Sequence, residues 1–153
     1  MKKLLTAVCT TLALMLSPAW AQMADDPSVL LAKIQADKKG VVEKSLNLTP
    51  AEAKKFWPLY EEFQRALAVP QSAYTRAVLD YVAAGTTLTD ANAKRLSEQV
   101  LSASRDEARL HEKHFKQLLK VLPAHRAARY MQIENKVQAI VRFESAKAIP
   151  LVN

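Results

Sequence analysis

Glycine is nearly absent from this chain, and its scarcity restricts the possible folds more than any other feature of the sequence. Only Gly40 and Gly85 occur in 153 residues. No segment shows the sustained alternation of apolar and polar residues, flanked by turn-forming residues, that is typical of β-strands. Helix-start signals recur four times instead. The sequence therefore predicts an all-α protein with four helices.

The clearest helix start lies at residues 49–52, which read Thr-Pro-Ala-Glu. This order predicts a capping box, in which Thr49 accepts from the Glu52 N–H and the Glu52 side chain reaches back. An apolar stripe at helical spacing follows and stays in register across Pro70. It predicts one long helix from residue 50 to about 84, kinked at its prolines, with a break near Pro70 as the alternative. The stripe consists of Phe56, Tyr60, Phe63, Leu67, Tyr74, Val78 and Tyr81.

Three further helices are predicted around this one. Asp26 before Pro27 starts a helix that runs to about residue 44. Thr89 or Asp90 caps another that runs to about residue 120, and the last begins at Pro123 and ends before residue 150. At 1.5 Å per residue the third helix would be about 45 Å long, so the two long helices are expected to form an elongated, kinked helical hairpin. The predicted buried seam of the third helix is Leu101, Ala108, Phe115 and Leu122, and the residues that widen this apolar face are Leu96, Val100, Leu110, Leu118 and Leu119.

The first residues predict an export signal. Lys2 and Lys3 precede a largely apolar run at residues 4–16, and residues 19–21 read Ala-Trp-Ala, a small-x-small cleavage site. The apolar run is shorter than the roughly 20 residues that a membrane-spanning helix needs. We therefore expect a cleaved signal peptide at residues 1–21, one helical domain at residues 22–153, and a location in the periplasm.

Removal of the signal peptide also removes Cys9, the only cysteine of the chain. Disulfides, thiolate metal sites and cysteine nucleophiles are then excluded from the mature protein. The chain has 22 Lys and Arg residues against 15 Asp and Glu residues, and two lysines but no acid leave with the signal peptide, so the mature excess is +5. This charge suits acidic or membrane-surface partners, whereas an exported protein is not expected to bind nucleic acid.

Two histidines and one acid are the candidate metal ligands. Glu107, His111 and His114 follow one another at spacings of four and three, so one helix face carries all three. Imidazole and carboxylate ligands suit zinc, copper, nickel or cobalt, but a metal site needs further ligands from elsewhere. Histidines on a solvated helix surface are the alternative. No hydrolase motif or glycine-rich phosphate loop is found, so neither enzymatic activity nor a cofactor is expected.

Aromatic residues are concentrated on the second helix and form a candidate binding surface. Trp57 lies about 100° around the helix axis from the main stripe, which favours an exposed or interface position. Core packing is the ordinary role of the stripe residues themselves. Apolar surface that is left over can bind apolar segments of other proteins, while nearby cations attract acidic ones. The candidate client-binding residues are Phe56, Trp57, Tyr60 and Phe63, with Lys54, Lys55 and Arg65.

Residues 48–52 resemble the hallmark of the Spy and CpxP group of periplasmic helical proteins. That hallmark is Leu-Thr-x-x-Gln at helix starts, and here Glu52 and Asn92 stand in place of the glutamine in two copies. The resemblance implies a cradle-shaped helical dimer with an ATP-independent chaperone-like or envelope-stress role, whose partners are unfolded or envelope proteins. The chain is also similar to exported proteobacterial helical proteins without an assigned activity at residues 56–60, 122–136 and 149–152.

These observations leave three functional hypotheses. The leading one is a non-enzymatic periplasmic binding protein that shields apolar or unfolded client segments. A metal sensor or metal-binding protein that uses Glu107, His111 and His114 is the alternative. A structural partner of an envelope assembly is a third class, which the sequence does not separate from the first.

Overall fold

The computed structural model describes the backbone of residues 27–153 and the side chains of residues 37–153, so the predicted signal peptide lies outside the described residues. This part of the chain contains no strand, and the prediction of an all-α protein is confirmed. None of its helices is long and apolar enough to cross a membrane. The four helices are α1 (Pro27–Leu46), α2 (Pro50–Ala84), α3 (Asp90–Leu118) and α4 (Ala124–Ala148).

Two threonines fix the starts of the long helices. At α2 the Glu52 N–H donates to Thr49 Oγ1 at 3.3 Å, and the Thr49 N–H donates to Glu52 Oε2 at 2.9 Å, which completes the predicted capping box. At α3 the Asn92 N–H donates to Thr89 Oγ1 at 3.3 Å. Thr89 is therefore the cap of α3, and Asp90 is its first helical residue.

The second helix is continuous through both of its prolines. Pro58 and Pro70 each lack an N–H and so remove one backbone hydrogen bond, yet α2 extends over 35 residues without a break. Buried residues lie on both sides of Pro70, with Leu67 1 % exposed and Ala77 1 % exposed. Packing on either side of the proline holds the helix together, so the alternative of a break near Pro70 is not observed.

The chain reverses direction at each of its three connections, and α1 lies beside α2 through the Lys38–Gln64 and Lys39–Glu61 contacts. A short turn joins α2 to α3, which pack against each other, and α4 then returns beside α3 while α1 packs on α4. The return brings the end of the chain to the α2–α3 turn, where the Asn153 N–H donates to the Thr86 carbonyl oxygen at 3.1 Å. The structure thus has a two-helix layer, α2 with α3, and a second layer formed by α1 and α4.

The main hydrophobic core lies where the ends of all four helices meet. It combines the first half of α2, the ends of α1 and α3, and the start of α4, and burial of these apolar side chains supplies the main stabilising free energy. The other end of the α2–α3 pair has a thinner core, which includes Val78 and Leu96. The main cluster consists of Val42, Leu46, Phe56, Tyr60, Phe63, Leu67, Leu118, Leu122, Ala127 and Tyr130.

The predicted buried seam of α3 is wrong in two of its positions. Leu101 is 57 % exposed and Ala108 is also exposed. The buried face is rotated away from them, and it is partly polar because Glu107 and His114 point inward. The apolar heptad seam alone therefore misplaces the buried face of α3. Glu107 and His114 are part of that face, because one is paired with Arg142 and the other is stacked on Phe63 in the interior.

Gly40 provides a test of helix propensity in the middle of α1. We expect Gly40→Ala to stabilise the protein by about 0.5–1 kcal/mol, because alanine loses less backbone entropy in a helix than glycine does. A Cβ added at Gly40 meets no atom within 4 Å. Urea denaturation followed by circular dichroism measures the change.

Gly85→Ala is the matched control for this prediction. A Cβ at Gly85 also meets nothing within 4 Å, but Gly85 has a φ of +65° and a ψ of −141°, a conformation that glycine adopts almost alone and that costs alanine about 1–3 kcal/mol. The two substitutions should therefore shift the denaturation midpoint in opposite directions. A destabilised Gly40→Ala variant would contradict the prediction.

Candidate functional site

Three of the four aromatic residues of the predicted client-binding set lie in the core. Phe56 is 0 % exposed, Tyr60 5 % and Phe63 3 %. Phe56 and Tyr60 each pack their rings against Tyr130 of α4, with centroids 5.4 and 6.1 Å apart. In this structure these rings are not accessible to a client, and their assignment as surface contacts needs correction, because Tyr130 of α4 covers Phe56 and Tyr60 while His111 and His114 of α3 cover Phe63.

Trp57 keeps part of its ring at the surface, as its offset from the stripe predicted. Its inner edge packs on Phe56 and Tyr60, with ring centroids 5.1 and 5.4 Å away. The Nζ of Lys39 lies 5.3 Å from the ring centroid, within the range of a cation–π contact. The indole is therefore held in place on one side and is available for contact on the other.

Three exposed cations lie close to Trp57 along α2. Lys54, Lys55 and Arg65 are all exposed, and none forms an ion pair within 4.0 Å with the described residues. Lys54, Trp57 and Arg65 lie on one side of the helix because their spacings are close to whole turns, whereas Lys55 lies about 160° around the axis from Trp57. We refer to Lys54, Trp57 and Arg65 as the Trp57 patch.

A buried ion pair joins α1 to α4 beneath the aromatic cluster. The Nζ of Lys38 donates to Glu134 Oε2 at 3.0 Å, and each side chain is 3 % exposed. Lys38 also donates to Gln64 Oε1 at 2.6 Å, and the Gln64 amide in turn donates to Glu134 Oε1 at 3.0 Å. Three helices therefore share one closed hydrogen-bonded network, which satisfies groups that would be costly to bury alone.

This network keeps the neighbouring phenols protonated. Burial raises the pKa of Tyr60 to about 12, and the negative charge of Glu134 adds to the shift. Burial also raises the pKa of Tyr130, again with Glu134 contributing. The Gln64 amide donates to the Tyr130 hydroxyl at 3.3 Å. Both tyrosines are therefore neutral core residues at neutral pH.

A second ion pair joins α3 to α4. Arg142 Nη2 donates to Glu107 Oε2 at 2.7 Å, and the guanidinium carbon lies 3.5 Å from the ring centroid of Tyr74 on α2. Glu107 is 4 % exposed, so its charge is neutralised in the interior. This contact holds the last third of α4 against the α2–α3 layer.

The two histidines of α3 point into the protein. His114 is 2 % exposed and stacks on Phe63, with ring centroids 4.1 Å apart and planes at 6°. Nε2 of His111 and both ring nitrogens of His114 are buried and make no hydrogen bond within the described residues. Burial, followed by the charge of His111, lowers the pKa of His114 to about 4, so this ring is neutral at neutral pH. The Gln117 side chain opposes part of this lowering of the pKa, although it does not reach hydrogen-bonding geometry with the ring.

A cavity of about 30 Å³ lies between the two ion pairs, beside His111. It is lined in part by Lys38, Glu107, Glu134 and Arg142. Its volume is enough for about one water molecule, whereas pockets for organic ligands measure about 300–1,000 Å³. This cavity therefore has no room for a small-molecule substrate.

The structure brings Glu107, His111 and His114 to one face of α3, as their spacing predicted, but that face is inside the protein. The alternative of surface histidines is wrong for His114. The carboxylate of Glu107 is engaged by Arg142. The described residues contain no group of three or more His, Cys, Asp or Glu side chains that could hold a metal ion.

No sequence pattern marks the buried network of Lys38, Gln64 and Glu134. Each is a polar residue on a different helix, and only the packing of α1 and α4 on α2 brings them together. Comparison of the chain with protein-family models, with curated proteins and with solved structures finds no match.

Proposed function

We propose that this protein is a non-enzymatic binding protein of the periplasm that shields apolar or unfolded segments of envelope proteins, in an ATP-independent chaperone-like or envelope-stress role. The observation that supports the proposal best is the Trp57 patch. It presents an anchored, partly exposed indole among cations that have no ion-pair partner in the described chain. Aromatic rings and arginine are the side chains that contribute most at binding surfaces.

The proposed mechanism has two steps. The cations of the patch attract acidic stretches of an unfolded client over distances of about 8–10 Å, the Debye length at physiological salt. Apolar client side chains then bury the free edge of the Trp57 ring, which contributes about 25 cal/mol per Å² of apolar surface removed from water. Contacts of this kind are individually weak and need no nucleotide, so a client can leave and fold.

We expect Trp57→Ala to weaken client binding about tenfold, because truncation of an anchoring tryptophan removes roughly 1–2 kcal/mol of interface energy. The measurement is light scattering of a dilute unfolding client with increasing amounts of the mature protein and no nucleotide. Helicity by circular dichroism should stay intact, since Phe56 and the rest of the main core are untouched.

Leu101→Ala is the matched control, because Leu101 is 57 % exposed, apolar and on a different helix. It should leave suppression unchanged. The double variant K54E/R65E should reduce suppression at low salt and remove most of its salt dependence. Equal effects of Trp57→Ala and Leu101→Ala would contradict the role of the patch.

A wild-type protein that suppresses no aggregation with several clients would overturn the proposal itself. In that case a pull-down that yields one stoichiometric partner would favour a structural role in an envelope assembly. Sedimentation of the mature protein tests the homodimer that the Spy and CpxP resemblance implies.

A further inference from the structure

The α2–α3 layer carries an open groove of about 800 Å³. Every residue that lines it belongs to α2 or α3. The side chains through which α2 and α3 meet α4 include Phe56, Tyr60, Gln64, Tyr74, Glu107 and His114, and none of these lines the groove. The groove therefore lies on a part of the helical layer that the second layer does not cover.

The floor of the groove is apolar and made mostly of small residues. Val69 is 73 % exposed although it lies in the middle of α2, where the helix is otherwise well packed. Small side chains leave a shallow channel between the two helix axes, and such a channel accepts the apolar ridge of a third helix. The floor consists of Ala66, Val69, Pro70 and Ala73 of α2 and Ala103 and Leu110 of α3.

Cations border the groove on both helices. Arg76 lies on α2 and Lys113 on α3, and neither forms an ion pair within 4.0 Å with the described residues. Arg109 pairs with Asp106 at 3.4 Å, but both side chains are more than half exposed, so solvent screens that contact.

The cationic border continues along α3. A second groove of about 470 Å³ shares Arg109 and Lys113 with the first and adds Lys116 and Lys120. Residues 109, 113, 116 and 120 are separated by four, three and four positions, so they form one row on the helix. The two grooves together carry five cations against two carboxylates, those of Asp106 and Glu112.

We propose that this groove binds an acidic amphipathic helical segment of another polypeptide, with the apolar ridge on the floor and the carboxylates toward Arg76, Lys113 and the Lys116–Lys120 row. This inference rests on the proposed function and names the kind of client segment that the protein takes. A second copy of this chain fits less well, because its own excess of cations would place like charges face to face across the groove.

The test uses a fluorescent peptide of about 18 residues, long enough for about five helical turns. It carries leucines on one face and glutamates on the flanks, and a second peptide replaces each glutamate with lysine. Fluorescence anisotropy with the mature protein should show binding of the acidic peptide, weakened by salt. The lysine peptide should bind at least about tenfold more weakly, since like charges oppose it.

Variants locate the site. Val69→Asp places a negative charge on the exposed floor, and the double variant R76E/K113E reverses the charge of two border residues. Each should weaken binding of the acidic peptide about tenfold or more. The matched controls are Leu101→Asp, an exposed apolar position outside the groove, and Lys136→Glu, an exposed cation on α4. Neither control should change the affinity by more than about twofold.

Several outcomes would overturn the groove assignment without touching the proposed function. One is aggregation suppression that survives Val69→Asp and R76E/K113E but falls with Trp57→Ala. Another is equal binding of the two peptides.

If Val69→Asp instead converts a dimer to a monomer in sedimentation, the groove is an interface between copies. If the wild type binds anionic vesicles through Arg76 and Lys113 but not the acidic peptide, the ligand is a lipid surface. Peptide binding by a protein that suppresses no aggregation would uphold the groove and overturn the proposed function.

Discussion

Replacing Glu134 with alanine is expected to destabilise the protein by about 3–5 kcal/mol, because it leaves the Lys38 ammonium buried without its counter-charge. Both side chains of this ion pair are 3 % exposed, and the Nζ–Oε2 distance is 3.0 Å. The variant also removes the acceptor of the Gln64 amide. A domain of this size is stable by about 5–15 kcal/mol in total, so the loss is a large fraction of it. Urea denaturation followed by circular dichroism gives the change in the free energy of unfolding.

Glu61→Ala is a closely matched control for this variant. Glu61 accepts from Lys39 at 2.9 Å, but both side chains are about half exposed. Its removal should cost no more than about 0.5–1 kcal/mol, as for other surface ion pairs. The double variant Lys38→Met with Glu134→Leu should recover most of the stability lost in Glu134→Ala, since no buried charge remains. Equal losses for Glu134→Ala and Glu61→Ala would show that Lys38 does not depend on its buried partner.

Helix starts were predictable because their chemistry is local. The Thr49 and Glu52 capping box and the Thr89 cap each need only residues three positions apart, and both are formed in the structure. The continuity of α2 through Pro70 was also predictable, because the apolar stripe keeps its register there and packing outweighs one lost hydrogen bond. Local rules therefore fixed the number of helices and most of their limits.

The partners of each helix face were not predictable from the same rules. Periodicity shows that Phe56, Tyr60 and Phe63 share a face, but only the positions of α3 and α4 determine that this face is covered. The same holds for Lys38, whose burial depends on Glu134, 96 positions along the chain. Glu107 and His114 are buried through an ion pair with Arg142 and through stacking on Phe63, and an apolar pattern records neither contact. The burial of the aromatic stripe was therefore not predictable from its spacing, and client binding at Trp57 and its cations stays a prediction.

Lowering the pH from about 7 to about 4 is expected to destabilise the protein by about 3 kcal/mol through the buried histidines. Burial lowers the pKa of His114 from its ordinary 6.5 to about 4, and burial also lowers the pKa of His111. The unfolded chain therefore takes up a proton on His114 at a pH where the folded protein does not. Stability falls as the pH drops below about 6.5, and the loss from His114 is complete below about 4. Denaturant unfolding at a series of pH values measures this slope.

His125 supplies the matched control, because it is the exposed histidine of α4. We expect His114→Gln to flatten the slope of stability against pH between about 6.5 and 4, and His125→Gln to leave it unchanged. The slope is the readout, since a buried glutamine also lowers stability at every pH. The charged groups around the pair are the same in both variants: Lys38 of α1, Glu134 of α4 and Glu107 of α3 itself. Because Trp57 packs on Phe56 and Tyr60, its fluorescence should report loosening of the aromatic cluster over the same pH range. A wild-type slope in His114→Gln and in the double variant H111Q/H114Q would show that the acid sensitivity arises elsewhere, in the carboxylates.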